Sequence, residues 1–415
     1  MPPTDRDLAT QDDARTLKRS LTLPLAVLYG LGVTIGAGIY VLIGATAARA
    51  GLYAPAAFVL AALVMAPAAG AFAEFAGRLP VSAGEAAYVR AGFHSGTLSL
   101  IVGLMVVAAG SVSAATVSVG SAGYIRDFVD LPDTTIIVAV VFAMGGVAAW
   151  GIVQSVSFAA LFTLIEVAGL VLIVWSGFAE HPELPQRLPE LLPATVDAGA
   201  WAGILGAGLL AFFAFIGFED LVNIAEEVKH PRRTLPWAIF LTLVLTTLIY
   251  VLVVAVAVLT VPLGELGASR APLSLVFAHV TGLSPAAISA IAIVATLNGV
   301  IVQIIMASRV IYGLAGQGSL PAALGQVSAV THTPVVATGL VVLVILVLAL
   351  AFPLESLAEM TSRITLSIFV LVCAALLKLK IEGVPAPEGA FVVPGWVPLL
   401  GILSCSAFLL TDLVG

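Results

Sequence analysis

The chain has 415 residues, 60% of them hydrophobic and only 10% charged. Ordinary soluble domains carry about 25% charged residues, so this composition excludes a water-soluble globular protein and requires lipid to cover side chains that no core can hold. The net charge of −7 then matters less than where each charge lies.

Residues 1–20 are polar and mixed in charge, with no short apolar segment and cleavage site before the first long run. The expectation is a cytoplasmic tail without a signal peptide, the first span itself directing insertion. A helix needs about 20 apolar residues to cross a bilayer. Eleven runs approach that length: 24–46, 54–77, 96–122, 135–151, 157–178, 201–222, 236–261, 285–312, 334–352, 355–379 and 396–413. The expected fold class is an all-α integral membrane protein of about eleven transmembrane helices. Lys and Arg set its orientation. With the N-terminus cytoplasmic, twelve of the 17 basic residues fall inside and four, Arg49, Arg126, Arg187 and Arg270, fall outside. This predicts a multi-pass protein of the cell membrane. Cys373 and Cys405 lie in apolar runs and read as packing residues, with no disulfide or metal framework.

The stretch 179–200 is rich in Pro and acid and is expected to be an outer loop. It separates a first half, 21–178, from a second, 201–380, with a loop and an eleventh span in 381–415. Each half holds five spans. Five is odd, so the second half enters from the opposite face and the repeat is inverted, although no residue-level repeat is visible.

The first span of each half is interrupted, at Val33-Thr34-Ile35-Gly36-Ala37-Gly38-Ile39 and at Phe213-Ala214-Phe215-Ile216-Gly217-Phe218-Glu219. Irregular backbone at membrane depth survives only inside protein or beside a cavity. Paired interrupted helices point to the solute site of a secondary transporter. In the first break, amides of Ile35, Gly36, Ala37 and Gly38 would mark the positive end of a half-helix, which suits a carboxylate. Tight packing through small residues is an equal reading. In the second, carbonyls around Phe215, Ile216 and Gly217 suit an ammonium, and Phe213 or Phe215 is bulky enough to cover a solute, although Phe in a span is usually packing. Glu219 and Asp220 follow directly. A carboxylate in hydrocarbon costs at least about 2.5 kcal/mol, which calls for a partner or an ion path.

Four ordered stretches resemble the amino acid–polyamine–organocation transporter superfamily: Gly36-Ala37-Gly38-Ile39-Tyr40, the second break with Ala225-Glu226-Glu227 through Pro236, Ser308-Arg309 through Leu320-Pro321, and Ala73-Glu74-Phe75 through Arg90. The resemblance runs from about residue 20 to residue 380. It implies a ten-helix inverted-repeat core with alternating access. It places a substrate carboxylate on the amides of Ile35 to Gly38 and an amine on carbonyls of Phe213, Ala214 and Ile216, with Phe213 as an aromatic gate. Ala37 lacks the hydroxyl that some members have there, and many members have twelve spans where eleven are expected here.

Charged and polar residues inside the spans complete the candidates. Glu166 lies nine residues into the fifth span, about 13 Å from its inner end, where some proton-coupled members of the resembled family place a lysine. It is expected to carry a proton, bind a cation or hold a neighbouring helix. Arg363 lies at similar depth from the outer face and is expected to pair with Glu166 or Asp220, or to face a watery vestibule. Asn298 is a candidate cavity residue or a helix–helix bond.

The expected function is secondary active transport of an amino acid, by proton-coupled symport or exchange. Alternatives are transport of a related amine such as a polyamine or ethanolamine, or a sensor built on a transporter fold. A channel would need polar rings along several spans. The five His are scattered and no Gly-x4-Gly-Lys loop occurs, so no enzyme, metal, cofactor or nucleic-acid role is expected.

Overall fold

The computed structural model describes residues 21–80, 84–151, 156–193 and 197–414. The expected tail 1–20 and part of the 179–200 connection lie outside them. The first apolar run folds as two helices, α1 (Leu23–Ile35) and α2 (Ala37–Ala50). The rest of the first half is α3 (Ala54–Arg78), α4 (Gly84–Phe93), α5 (Gly96–Ile125), α6 (Asp133–Trp150) and α7 (Val156–Glu180). A short α8 (Leu184–Arg187) leads to α9 (Ala198–Phe215), which gives way to a 3₁₀ helix, Phe218–Ile224. Then come α10 (Pro231–Thr260), α11 (Leu263–Ala268), α12 (Pro272–Thr281), α13 (Ala286–Gly316), α14 (Val335–Ala351), α15 (Leu354–Ile381) and α16 (Trp396–Val414).

Among the described residues, eight helical stretches are by length and composition apolar enough to cross a membrane, and four further apolar helices are shorter. The figure differs from eleven for local reasons. Gly36 divides the first run, α2 and α3 join through the 3₁₀ turn Gly51–Tyr53 into one apolar stretch, and α14 and α16 are short. Two helix starts carry a side-chain cap. Ser95 Oγ accepts the Leu98 amide at 3.2 Å before α5, and Asp197 Oδ1 accepts the Ala200 amide at 3.0 Å before α9.

The interrupted helices lie at the centre of the bundle. α1 packs on α7 and α10, α2 on α9, and α9 on α3 and α15, while α5 is sandwiched between α13 and α15. Buried rings fix α9 and its 3₁₀ extension. Phe212 and Phe218 both meet Phe369 of α15 edge-on, at 6.0 and 5.5 Å, and Phe72 of α3 meets Phe369 at 5.2 Å. Edge-to-face rings add direction to area burial, so the second break is clamped from two sides. At one end, Leu21 bridges the residues on either side of Val228, its N donating to Glu227 O at 3.0 Å and its O accepting from Lys229 N at 2.8 Å.

Candidate functional site

The first break is one residue wide. Gly36 has φ −26° and ψ −115°, ends α1 and opens α2, and no side chain caps the first turn of α2. The second break is longer. Ile216 is extended with ψ 130°, and Gly217 has φ +129°. Only glycine takes that φ without strain, and a Cβ there would stand 2.7 Å from the Val33 carbonyl oxygen. The Gly217 amide donates to Glu219 Oε2 at 2.9 Å. The carboxylate thus folds back to satisfy the break it follows.

The breaks touch each other. Gly217 sits against Val33 and Gly38 against Ala214, where a Cβ on Gly38 would lie 2.5 Å from the Ala214 Cα. Tyr250 of α10 shares its hydroxyl between both helices, 2.9 Å from Thr34 O and 2.8 Å from Ala214 O. Two of the carbonyls expected to meet an amine are thus engaged in this conformation: Ala214 by Tyr250, and Phe213 by the Ile216 amide at 3.1 Å. Ile35, Ala37 and Gly38 are buried, as is Phe213. Phe215 meets Tyr250 at 5.1 Å and Phe58 at 6.2 Å and is a core ring here.

Asn298 adjoins this centre. Its Oδ1 is buried with no hydrogen-bond partner among the described residues, and its neighbour Gly299 faces Ala37 of the first break. Glu166 is fully buried on α7, and neither carboxyl oxygen has a partner among the described residues. The Tyr40 hydroxyl donates to the Glu166 backbone carbonyl at 2.9 Å, which places Glu166 beside α2. The expected pairing of Arg363 is corrected. Arg363 reaches back one turn to Glu359 Oε2 at 3.2 Å, and Glu359 Oε1 also takes Arg49 Nη1 at 2.5 Å. The reason is local: an acid four residues before a base lies on the same helix face. Asp220 instead accepts the Asn223 amide at 3.2 Å.

Beyond the second break lies a cavity of about 30 Å³. Its polar wall is Glu85 of α4, Glu219 and Asp220 of the 3₁₀ helix, Ser113 of α5, Gln303 of α13 and Thr365 of α15. Burial pushes the Glu85 carboxyl up to about 7, against a hydrogen bond from its own amide, and the Asp220 charge adds to the rise. Of the residues singled out in the sequence, the cavity gathers Ile216, Glu219 and Asp220, together with Ser113, one of the polar residues that stand out in the third span. Glu85, Tyr250 and Gln303 were missed. Tyr250 and Gln303 carried a signal, each being a polar group inside an apolar run. Glu85 lies in a stretch that carries the resemblance, but an acid in the first turn of a helix is ordinary and suggested no site role.

Comparison with known proteins agrees with this architecture. The family described as amino acid permease matches residues 21–414. The chain belongs to the amino acid permease family. It is 30% identical to the branched-chain amino acid permease BcaP of Bacillus subtilis strain 168, over 98% of this chain and 90% of that one. It is 29% identical to the vacuolar cationic amino acid transporter 2 of Arabidopsis thaliana, over 89% of this chain and 61% of that longer protein. It is 26% identical to the methylthioribose transporter of Bacillus subtilis strain 168, over 96% of this chain and 88% of that one.

With its long apolar helices the permease is a multi-pass membrane protein. At one end of the bundle Glu74 of α3 is fully buried and ties three elements together. It accepts Arg78 Nε, Lys380 Nζ of α15 and the Val393 amide, each at 2.8 Å. Lys380 Nζ also donates to Val393 O at 2.6 Å. A buried charge needs this degree of pairing.

Proposed function

We propose that the permease carries an amino acid across the cell membrane by alternating access, with its N-terminus cytoplasmic, in symport with a proton. The observation behind this reading is the contact of the two broken helices at Gly38–Ala214 and Val33–Gly217. It brings an uncapped helix start next to a run of backbone carbonyls. The amides of Ile35 to Gly38 take the substrate carboxylate, and carbonyls of Phe213 to Ile216 take the amine once the hydroxyl of Tyr250 lets go. Phe213 covers the solute, and Asn298 stands close by. The five-plus-five inverted repeat supplies the rocking motion. Glu166 carries the proton, because a buried carboxyl without a partner is tolerable mainly in its neutral form. The relatives named for branched-chain and cationic amino acids support an amino acid as cargo over a polyamine.

Uptake of radiolabelled amino acids into proteoliposomes tests this. Accumulation should require a proton gradient, acid outside. Binding without uptake would favour a sensor, and gradient-independent exchange would remove the proton from the scheme.

A further inference from the structure

Helix α10 opens from a basic run, Lys229-His230-Pro231-Arg232-Arg233, at the end of the bundle that holds the Glu74 network. The turn before the helix is fixed. His230 takes φ +50°, the Thr234 hydroxyl donates to Lys229 O at 2.7 Å, and the Lys229 amide donates to Leu21 O at 2.8 Å. Four neighbouring cations are engaged with protein. Arg78 and Lys380 pair with Glu74, Lys378 pairs with Glu382, and the Arg232 guanidinium donates to Glu388 O at 3.0 Å. The side chains of Lys229 and Arg233 are different. Both residues are exposed, and neither the ammonium nor the guanidinium has an ion pair or hydrogen bond with any described residue.

Arg233 heads an apolar stripe. Trp237, Phe240, Val244 and Leu248 follow it at steps of four, three, four and four residues, which keeps all five on one helix face. The four apolar residues are between 38% and 58% exposed, so the bundle leaves this face largely uncovered. From Arg233 to Leu248 is about 22 Å at 1.5 Å per residue. One leaflet with its headgroups, half of a bilayer about 40–45 Å thick, has the same depth. Trp237 stands one turn below the cation, where indole rings favour the membrane–water boundary. Phe391 meets Phe240 edge-on at 6.3 Å and flanks the stripe.

We propose that this face of α10 holds an anionic glycerophospholipid in preference to a zwitterionic one, with its phosphate on Arg233 and Lys229 and an acyl chain along Trp237 to Leu248. The occupant is amphipathic, because the cation and the apolar stripe are continuous on one face. It is anionic, because two cations without protein partners attract net negative charge, and a phosphocholine headgroup carries its own cation and brings none. The start of α10 adds to the attraction, since its first amides carry partial positive charge and no side chain caps them. The site lies outside the broken helices and holds for any cargo.

Thermal midpoints of the purified permease in detergent, titrated with dioleoylphosphatidylglycerol, dioleoylphosphatidylcholine or glycerol phosphate, test it, since a ligand of the native state raises the midpoint with its affinity. Phosphatidylglycerol should stabilise more than phosphatidylcholine, and added salt should shrink the difference. In the Lys229→Gln, Arg233→Gln double variant the affinity for phosphatidylglycerol should fall roughly thirtyfold, two cations' worth of surface attraction. Arg233→Lys keeps the charge and should keep most of the preference. Arg90→Gln removes an exposed cation of α4 at the same end and should leave the preference intact. Equal stabilisation by the two lipids would overturn the proposal. A preference untouched by the double variant, or lost equally in Arg90→Gln, would overturn its placement on α10. Glycerol phosphate matching the whole lipid would make the ligand a soluble phosphate. A midpoint that rises with protein concentration and ignores lipid would assign the stripe to a second copy of the chain. Either of these last two results also overturns the lipid site.

Discussion

Gly38 and Ala214 meet backbone to backbone, so that a Cβ on Gly38 would stand 2.5 Å from the Ala214 Cα. No side-chain rotation relieves a clash with a Cα. Gly38→Ala therefore forces the broken helices apart, at about 1–3 kcal/mol for overpacking. The expected result is a lower thermal midpoint and uptake reduced at least about tenfold, because reacting groups misplaced by 1 Å lose binding steeply. Gly206→Ala on α9 adds a methyl with no atom within 4 Å and should change neither quantity. Normal uptake by Gly38→Ala would show that the contact is dispensable.

Tyr250→Phe keeps the rings at Phe58 and Phe215 and deletes one hydroxyl. Thr34 O and Ala214 O then lose a shared donor in a buried place. Leaving a buried carbonyl unsatisfied costs about 1–3 kcal/mol. The midpoint should fall, and substrate affinity should change with it, since the same hydroxyl occupies a carbonyl proposed for the amine. A midpoint and KM equal to those of the wild type would mean that the tie carries no weight.

The breaks were legible because their cause is local. Gly217 needs φ +129°, and glycine in a long apolar run advertises such a need. The partner of Arg363 was legible too, as Glu359 lies four residues before it, yet depth in the membrane pointed instead to Glu166. The cavity was not legible. Its wall draws single residues from α4, α5, α13 and α15 and the 3₁₀ helix, and nothing in the chain order says that Glu85 of a short helix packs beneath the second break. The burial of Glu74 was likewise hidden, since its partners Lys380 and Val393 come from the far end of the sequence.

Glu85 gives a pH dependence of known sign. Its carboxyl is raised from 4.5 to about 7 by burial, so the folded state binds the proton more tightly than the unfolded chain. The resulting stability is present below about 4.5 and is lost as pH rises through about 7. Glu85→Gln removes this dependence. The midpoint of the wild type relative to Glu85→Gln should therefore fall between pH 5 and pH 8. A constant difference would show that Glu85 stays ionised throughout, and a rising one would reverse the sign.

Glu74 predicts an asymmetry between partners. Glu74→Ala leaves Arg78 and Lys380 with carbonyl partners only and orphans the Val393 amide, and removing one side of a buried pair costs about 3–5 kcal/mol. Lys380→Met leaves Glu74 with Arg78 and the amide, so its loss should be smaller. Equal midpoints for the two variants would mean that Glu74 is not the hub.

Glu166 is where the proposed proton coupling is tested. Its carboxyl oxygens are buried and without partners among the described residues, and Tyr40 holds the backbone at the same residue. Glutamine has nearly the same shape and cannot exchange a proton at that site. If Glu166 carries the coupling proton, Glu166→Gln should still bind substrate and exchange it across the membrane, because exchange moves loaded carrier in both directions and needs no net proton movement. It should fail to accumulate substrate against a gradient when the outside is acidified. The two assays separate a coupling role from a structural one, since a structural defect would lower both. Proton-driven accumulation surviving in Glu166→Gln would transfer the proton to another carboxyl, with Glu219 and Asp220 the next to substitute.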